Sequence, residues 1–258
     1  MEKVRNALWY ARRPAYWAHA TELAARKLRS GFDGAEFRRS AQDWAAQRTV
    51  SVEDALVRAG LLAPGDAVPT LPAELVQAAE EAARRSAVSM GGAGHYDLIH
   101  AAALLLGARR IVETGVAYGW SSLALLAAIE GAEGARLVSV DMPYVRAGND
   151  PYVGIVVPER LRRQWVLIRE PDRKGLEKAI GRFDGCIDFC HYDSDKSWWG
   201  RQYAYPLLWE ALRPGGIFVS NDIDDNMAFA SFIEGRGLDC TVTTFGDKFI
   251  GLVRKPGG

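Results

Sequence analysis

Two short stretches hold the side chains best suited to chemistry. Asp193-Ser194-Asp195-Lys196 and Asn221-Asp222-Ile223-Asp224-Asp225 each follow an apolar run, Ile187 to Tyr192 and Gly216 to Ser220. Parallel strands deliver such residues to a common crevice at their carboxyl ends. Carboxylates from two neighbouring strand ends, joined by an amide, are hard oxygen ligands, so Asp193, Asn221 and Asp222 form a candidate site for Mg²⁺ or another oxygen-preferring ion. Such an ion binds an acceptor hydroxyl, lowers its pKa and orients it. Lys196 is a candidate base, because desolvation beside a cation lowers an ammonium pKa. His191 shares a strand face with Asp193 by the period of two and is a second catalytic candidate, although a lone strand histidine is more often a satisfied partner within the fold. The bland alternative makes the aspartates loop caps and Lys196 a solvated helix residue.

A second constellation lies upstream. Ile111-Val112-Glu113-Thr114-Gly115-Val116-Ala117-Tyr118-Gly119-Trp120-Ser121-Ser122 runs from an apolar strand through a glycine-punctuated turn into a helix. Glycine lacks a Cβ, so backbone there can approach a ligand closely. About twenty residues on, Leu137-Val138-Ser139-Val140-Asp141 is another apolar strand ending in a carboxylate, placed to accept hydrogen bonds from a ribose diol. Glu113 before the turn would repel a pyrophosphate but suits an amino-acid ammonium, which favours S-adenosylmethionine over a dinucleotide. Tyr192-x-x-x-Lys196 has the spacing of a short-chain dehydrogenase pair. It begins at a strand end rather than within a helix, and GxGxxG is absent.

Together these features resemble class I S-adenosylmethionine-dependent methyltransferases, with Glu113 to Gly119 matching the first motif and Asp141 the acidic residue after strand two; the similarity spans roughly residues 91 to 254. The resemblance implies that Glu113, Gly115 and Gly119 line the methionine end, with Thr114 and Tyr118 beside them. It has Ser121 or Ser122 capping the following helix, Asp141 on the ribose, Asp172 near the adenine and Asp193 also close to the cofactor. Ile168-Arg169-Glu170-Pro171-Asp172 lacks the Gly-Asp often found at the adenine, which weakens that one match. Asp193-x-x-Lys196 followed by Asn221-Asp222 resembles metal-dependent O-methyltransferases of the catechol type. It also resembles the bacterial macrocin-type sugar O-methyltransferases, which usually carry histidine at the Lys196 position. Val157-Pro158-Glu159-Arg160-Leu161 with Trp165, then Asp193-Ser194 and Asp222 to Phe229, resemble the bacterial family more than the catechol enzymes. What this implies is a small-molecule acceptor, a sugar or natural-product hydroxyl, and a divalent metal, Mg²⁺ first. A metal-free methyltransferase acting on oxygen or nitrogen, and a non-catalytic cofactor-binding scaffold, are the alternatives.

These residues need a sheet to hold them. Short apolar runs at Arg110 to Glu113, Arg136 to Asp141, Trp165 to Ile168, Ile187 to Tyr192 and Gly216 to Ser220 alternate with helical or loop sequence. That alternation predicts a Rossmann-like, doubly wound, mostly parallel sheet. Cys240 to Phe245 and Phe249 to Arg254 flank Gly246-Asp247-Lys248 as a hairpin, which makes seven strands with an antiparallel C-terminal pair. Residues 1–90 read as a helical cap or oligomerisation segment ahead of a methyltransferase domain at 91–258. Within the cap, Ser51 is an N-cap candidate, and Arg12, Arg13, Arg26, Lys27 and Arg29 read as a solvated basic face. Gly91 to Gly94 with His95 and Tyr96 reads as a loop able to close over the site, and Trp198, Trp199 and Tyr203 as acceptor-pocket walls or packing residues.

The 258 residues are 48% hydrophobic and 25% charged, ordinary for a soluble protein. No apolar run approaches the roughly 20 residues that cross a bilayer. The basic, aromatic N-terminus lacks a secretory core, so a cytoplasmic protein is expected. Lys plus Arg and Asp plus Glu both total 32, leaving no positive field to recruit nucleic acid. The odd trio Cys186, Cys190 and Cys240 suits reduced thiols rather than disulfides or zinc. A homo-oligomer is compatible with the helical segment.

Overall fold

The computed structural model describes residues 8–28, 31–145 and 148–257, with the side chains of Lys27 and Leu28 outside that description. Seven strands form one sheet: β1 (Arg110–Thr114), β2 (Arg136–Val140), β3 (Trp165–Ile168), β4 (Ile187–Tyr192), β5 (Leu212–Ser220), β6 (Thr241–Phe245) and β7 (Lys248–Arg254). Their order is β3-β2-β1-β4-β5-β7-β6. β3, β2, β1, β4 and β5 are parallel, and β7 runs antiparallel to β5 and β6. The Rossmann-like sheet and its C-terminal hairpin are therefore as expected. β5 starts at Leu212 rather than Gly216, because Leu212 pairs with Ile187 ahead of a register shift.

The alternating sides of the strands explain both layers. Ile111, Leu137, Phe189 and Ile217 pack in one core with Leu56, Leu75, Leu98 and Leu123. Their neighbours Val112, Val138, Cys190 and Phe218 pack in the other with Trp44, Leu176, Leu208 and Phe229. Strands covered on both faces carry unbroken apolar runs, as these do. The first face is covered by α3 (Val52–Arg58), α4 (Ala73–Arg84), α5 (Tyr96–Leu106) and α6 (Trp120–Ala128). The second is covered by α2 (Ala35–Ala46), α8 (Asp172–Gly181), α9 (Trp198–Ala211) and α10 (Ala228–Glu234). The remaining helices are α1 (Trp17–Leu28) and the short α7 (Glu159–Arg162). Ser51 caps α3 by accepting from the Asp54 amide at 3.0 Å, and Gly107 stops α5 at φ 62°, both as the sequence indicates. The helical segment before residue 90 shares both cores, and Val50 donates to the Val242 carbonyl at 2.8 Å. The three cysteines are free, and burial pushes the Cys190 thiol well up.

The strand order reverses between β1 and β4, so their carboxyl ends open a crevice. At the opposite end, Asp188 ties the strand starts together. It accepts from the Arg109 and Arg110 amides at 3.0 and 2.8 Å and from the Arg110 and Arg213 guanidiniums at 2.8 and 2.6 Å. Burial pushes its pKa up, but those donors outweigh it and hold the carboxyl at about 2.

Candidate active site

β1 enters the crevice through Gly115 at φ 77°, where an added Cβ would lie 2.2 Å from the Asp193 carbonyl oxygen. The loops after β1 and β4 therefore touch backbone to backbone. Val116 donates its amide to Asp141 Oδ1 at 3.0 Å, and Arg169 pairs with the other oxygen and with Asp150. Burial raises the Asp141 pKa by more than the Val116 amide and Arg169 lower it.

Glu113 departs from expectation. It is fully buried and accepts hydroxyl hydrogen bonds from Ser121, Ser122 and Ser139, each at 2.6 Å. The carboxylate ties β1 to β2 and α6 instead of facing a ligand ammonium. Ser121 and Ser122 accordingly do not cap α6; Gly119, at φ 93°, occupies that position. Thr114 is buried too, its hydroxyl oxygen accepting from the Asp193 amide at 3.3 Å. Glu113, Thr114, Gly119 and Ser122 support the loop from behind, while Gly115, Tyr118, Ser121, Asp141, Asp172 and Asp193 line the cleft.

At the other end of the cleft Lys196 and Lys248 both pair with Asp222; the Lys248 Nζ lies 3.0 Å from Oδ1. Lys196 also lies 3.2 Å from Asp193 Oδ1, and Asn221 donates to Asp193 Oδ2 at 3.2 Å. All four expected residues thus meet. Burial would lower the Lys196 pKa, but Asp193 and Asp222 outweigh it and raise it, contrary to the downward shift expected of a base. Burial would raise Asp222, and the two lysines outweigh that and lower it. Asp222 adopts φ 49°, a strained conformation for a non-glycine residue, and the fully buried Arg201 donates to the carbonyls of Asn221 and Asp222 to fix it.

His191 is fully buried 3.7 Å from Glu113 and does not line the cleft, so it cannot touch an acceptor in this geometry. Burial would lower its pKa, and Glu113 outweighs that and raises it. Trp198 stacks on Phe32 with ring centroids 4.8 Å apart, and Tyr203 donates to the Arg173 carbonyl, so both pack α9 and neither walls the cleft. Gly91 to His95 do line it. Among the described residues no three His, Cys, Asp or Glu side chains are grouped as metal ligands, which leaves two carboxylates and the Asn221 amide as the candidate set.

The two ends belong to one cavity of about 690 Å³. A family model described as a methyltransferase domain matches residues 112–223, from β1 to the start of the Asp222 loop. That match spans 112 of the 258 residues and makes this part of the chain similar to a methyltransferase domain. The fold agrees: cofactor-bound Rv0187 from MTB and an O-methyltransferase from Bacillus cereus in complex with SAH each superpose with a TM-score of 0.57 at 17% identity, covering 81% and 82% of this chain and 100% of theirs. The O-methyltransferase TomG from Streptomyces achromogenes, involved in tomaymycin synthesis and solved with SAM, gives 0.52 at 20% identity over 82% of this chain and 98% of its own. No curated protein matches the sequence. Among the described residues no helix is long and apolar enough to cross a membrane.

Three features of the site escape sequence reading. Lys248 arrives from the C-terminal hairpin, which the sequence marks only as a turn. Arg169 occupies the Asp141 carboxylate. Arg26 is no solvated residue: its side chain is 13% exposed and pairs with Glu22 and Asp195. Arg29 and the Lys27 side chain lie outside the described residues.

Asp172 opens α8 and accepts from the Ser194 hydroxyl at 2.5 Å; burial is the main reason its pKa rises to about 6. The folded protein then holds a proton that the unfolded chain, with a carboxyl pKa of about 4, has released. Stability should fall as pH rises from about 4 to 6, by at most about 3 kcal/mol. Thermal melts across that window should show Asp172→Asn losing this slope, and an unchanged slope would assign it to another group.

Proposed function

We propose that this chain transfers a methyl group from S-adenosylmethionine to a hydroxyl of a small molecule, a sugar or a natural product, with a divalent metal at the acceptor end. The carrying observation is the single cavity that joins the Gly115 to Tyr118 loop and Asp141 to Asp193, Lys196, Asn221 and Asp222. Its volume of about 690 Å³ falls within the usual range for ligand sites, roughly 300–1,000 Å³. In the reaction the acceptor oxygen bonds the methyl carbon as the carbon–sulfur bond breaks. The bound cofactor would supply the sulfonium methyl and leave as a neutral thioether, and the hydroxyl proton would pass to a base. Most of the acceleration then comes from alignment.

Asp193, Asn221 and Asp222 would hold the metal, and their oxygens suit it: Asn221 Oδ1 is a buried oxygen without a hydrogen-bond donor, and Asp193 Oδ1 beside it meets the Lys196 ammonium, whose place a cation could take. Mg²⁺ supplies a lowered hydroxyl pKa and offsets developing negative charge. Lys196, an ammonium in this arrangement, can take a proton only once Asp193 and Asp222 have other partners. A metal-free variant of the same reaction is the second reading, favoured by the two lysines that already neutralise Asp222.

Calorimetric titration with S-adenosylhomocysteine, in Mg²⁺ and in EDTA, tests both levels. Saturable one-to-one binding in both buffers is expected, with Mn²⁺ binding seen separately by electron paramagnetic resonance. No cofactor binding in either buffer would remove methyl transfer; cofactor binding without Mn²⁺ binding would leave the metal-free reaction.

A further inference from the structure

We infer that α1 is part of the cofactor site, forming the wall over its adenine end and held there by the ion pairs Glu22–Arg173 and Arg26–Asp195. The inference rests on the proposed use of S-adenosylmethionine. His19, Glu22, Leu23 and Arg26 follow one another at helical spacing on one face of α1, and all four line the cavity. They stand opposite Asp172, Arg173, Ser194 and Asp195, which line the same cavity where β3 and β4 deliver their loops.

The attachment is specific. Arg26 pairs with Asp195 and Glu22 and donates to the Ser197 hydroxyl at 3.2 Å, while Glu22 also pairs with Arg173. Ahead of the helix, Tyr16 donates to the Arg169 carbonyl at 3.2 Å and Lys174 to the Ala15 carbonyl at 3.1 Å. The contacts thus run from the end of β3 to the loop after β4, across the rim of the cleft. The Arg26, Glu22 and Asp195 side chains are 13%, 18% and 27% exposed, so the two Arg26 pairs are more shielded than ordinary surface pairs, whereas the Glu22–Arg173 pair reaches the surface through Arg173. Both charge signs are matched, so the helix adds no net charge to that wall.

The inner surface suits a flat, uncharged heterocycle. Burial lowers the His19 pKa, which leaves a neutral imidazole beside Leu23, and the Asp172 carboxyl stands across the cleft as a polar partner for a purine edge. His19 and Leu23 are positioning residues for the adenine. Because the spent cofactor must leave after each turnover, the Glu22 and Arg26 pairs also set how fast this wall gives way.

Stopped-flow displacement of S-adenosylhomocysteine from the full chain tests this, using wild type and Glu22→Gln/Arg26→Gln. The double variant should release it about tenfold faster and bind it weaker by a similar factor, with little change in melting temperature. In wild type, amide exchange of residues 17–28 should slow when S-adenosylhomocysteine is added, a readout that needs no variant. Release rates within twofold of each other, with exchange of α1 indifferent to the ligand, would overturn the inference. A wild-type chain that does not bind S-adenosylhomocysteine at all would overturn the methyl-transfer reading, and this inference with it.

Discussion

Gly115→Ala should abolish S-adenosylhomocysteine binding, weakening it by at least about 100-fold, and should lower the melting temperature by roughly 6 °C or more. Two independent costs combine. A residue with a Cβ at φ 77° costs about 1–2 kcal/mol by itself. The added carbon would also lie 2.2 Å from the carbonyl oxygen and 2.7 Å from the carbonyl carbon of Asp193, atoms that no rotamer change can move. The loops after β1 and β4 must separate, which withdraws the Val116 amide from Asp141 and turns the Asp193 carboxylate from its place. Gly131→Ala is the control: its φ is 78°, but nothing lies within 4 Å of its added Cβ. That variant should lose only the conformational term and bind the ligand normally. Near-normal calorimetric binding by Gly115→Ala would mean that the contact between the two loops does not shape the cofactor site.

The same loop shows where sequence reading succeeds and where it stops. Ile111 and Val112 belong to opposite cores, so β1 reads as a strand buried on both faces, and the glycines that follow mark the turn. Glu113 is legible as a strand-end acid but not in its direction. It lies on the Ile111 side of the strand, towards α6, where Ser121, Ser122 and Ser139 supply the hydrogen bonds that make its burial affordable. Three hydroxyls in otherwise apolar elements were the available signal, since buried hydroxyls need an acceptor. Asp193, Asn221 and Asp222 were legible because each ends or directly follows an apolar run. Arg26 and Lys248 were not, because no local pattern links Arg26 to Asp195 across 169 positions or brings the hairpin lysine to Asp222. Such pairings are set by how α1 and β7 pack, and amphipathic spacing reports only that a helix has an inner face, not what that face meets.

Asp222→Ala should lower methyl transfer by about 100- to 1,000-fold while leaving S-adenosylhomocysteine affinity within about threefold. The affinity should hold because the cofactor loop and Asp141 make no hydrogen bond to Asp222; the Val116 amide and Arg169 anchor that end instead. Turnover should fall because Asp222 is the common partner of Lys196 and Lys248, and without it two ammonium groups share the acceptor end with Asp193 as the remaining carboxylate among these three. Mn²⁺ binding should disappear with it, since a metal would then meet two cationic side chains and one carboxylate. Asp222→Asn separates charge from shape: asparagine tolerates the left-handed φ of 49° and keeps an oxygen in place, so a fall equal to that of alanine assigns the effect to the charge. The pH sign follows from the same pairing. The Asp222 pKa is lowered in the fold, so its stabilisation is present above the ordinary carboxylate pKa of about 4 and is lost as pH falls below it. Melts of wild type and Asp222→Asn should therefore converge in acid and diverge towards neutrality. Unchanged turnover in both variants would reduce Asp222 to a turn residue neutralised by its lysines and would move the chemistry to Asp193.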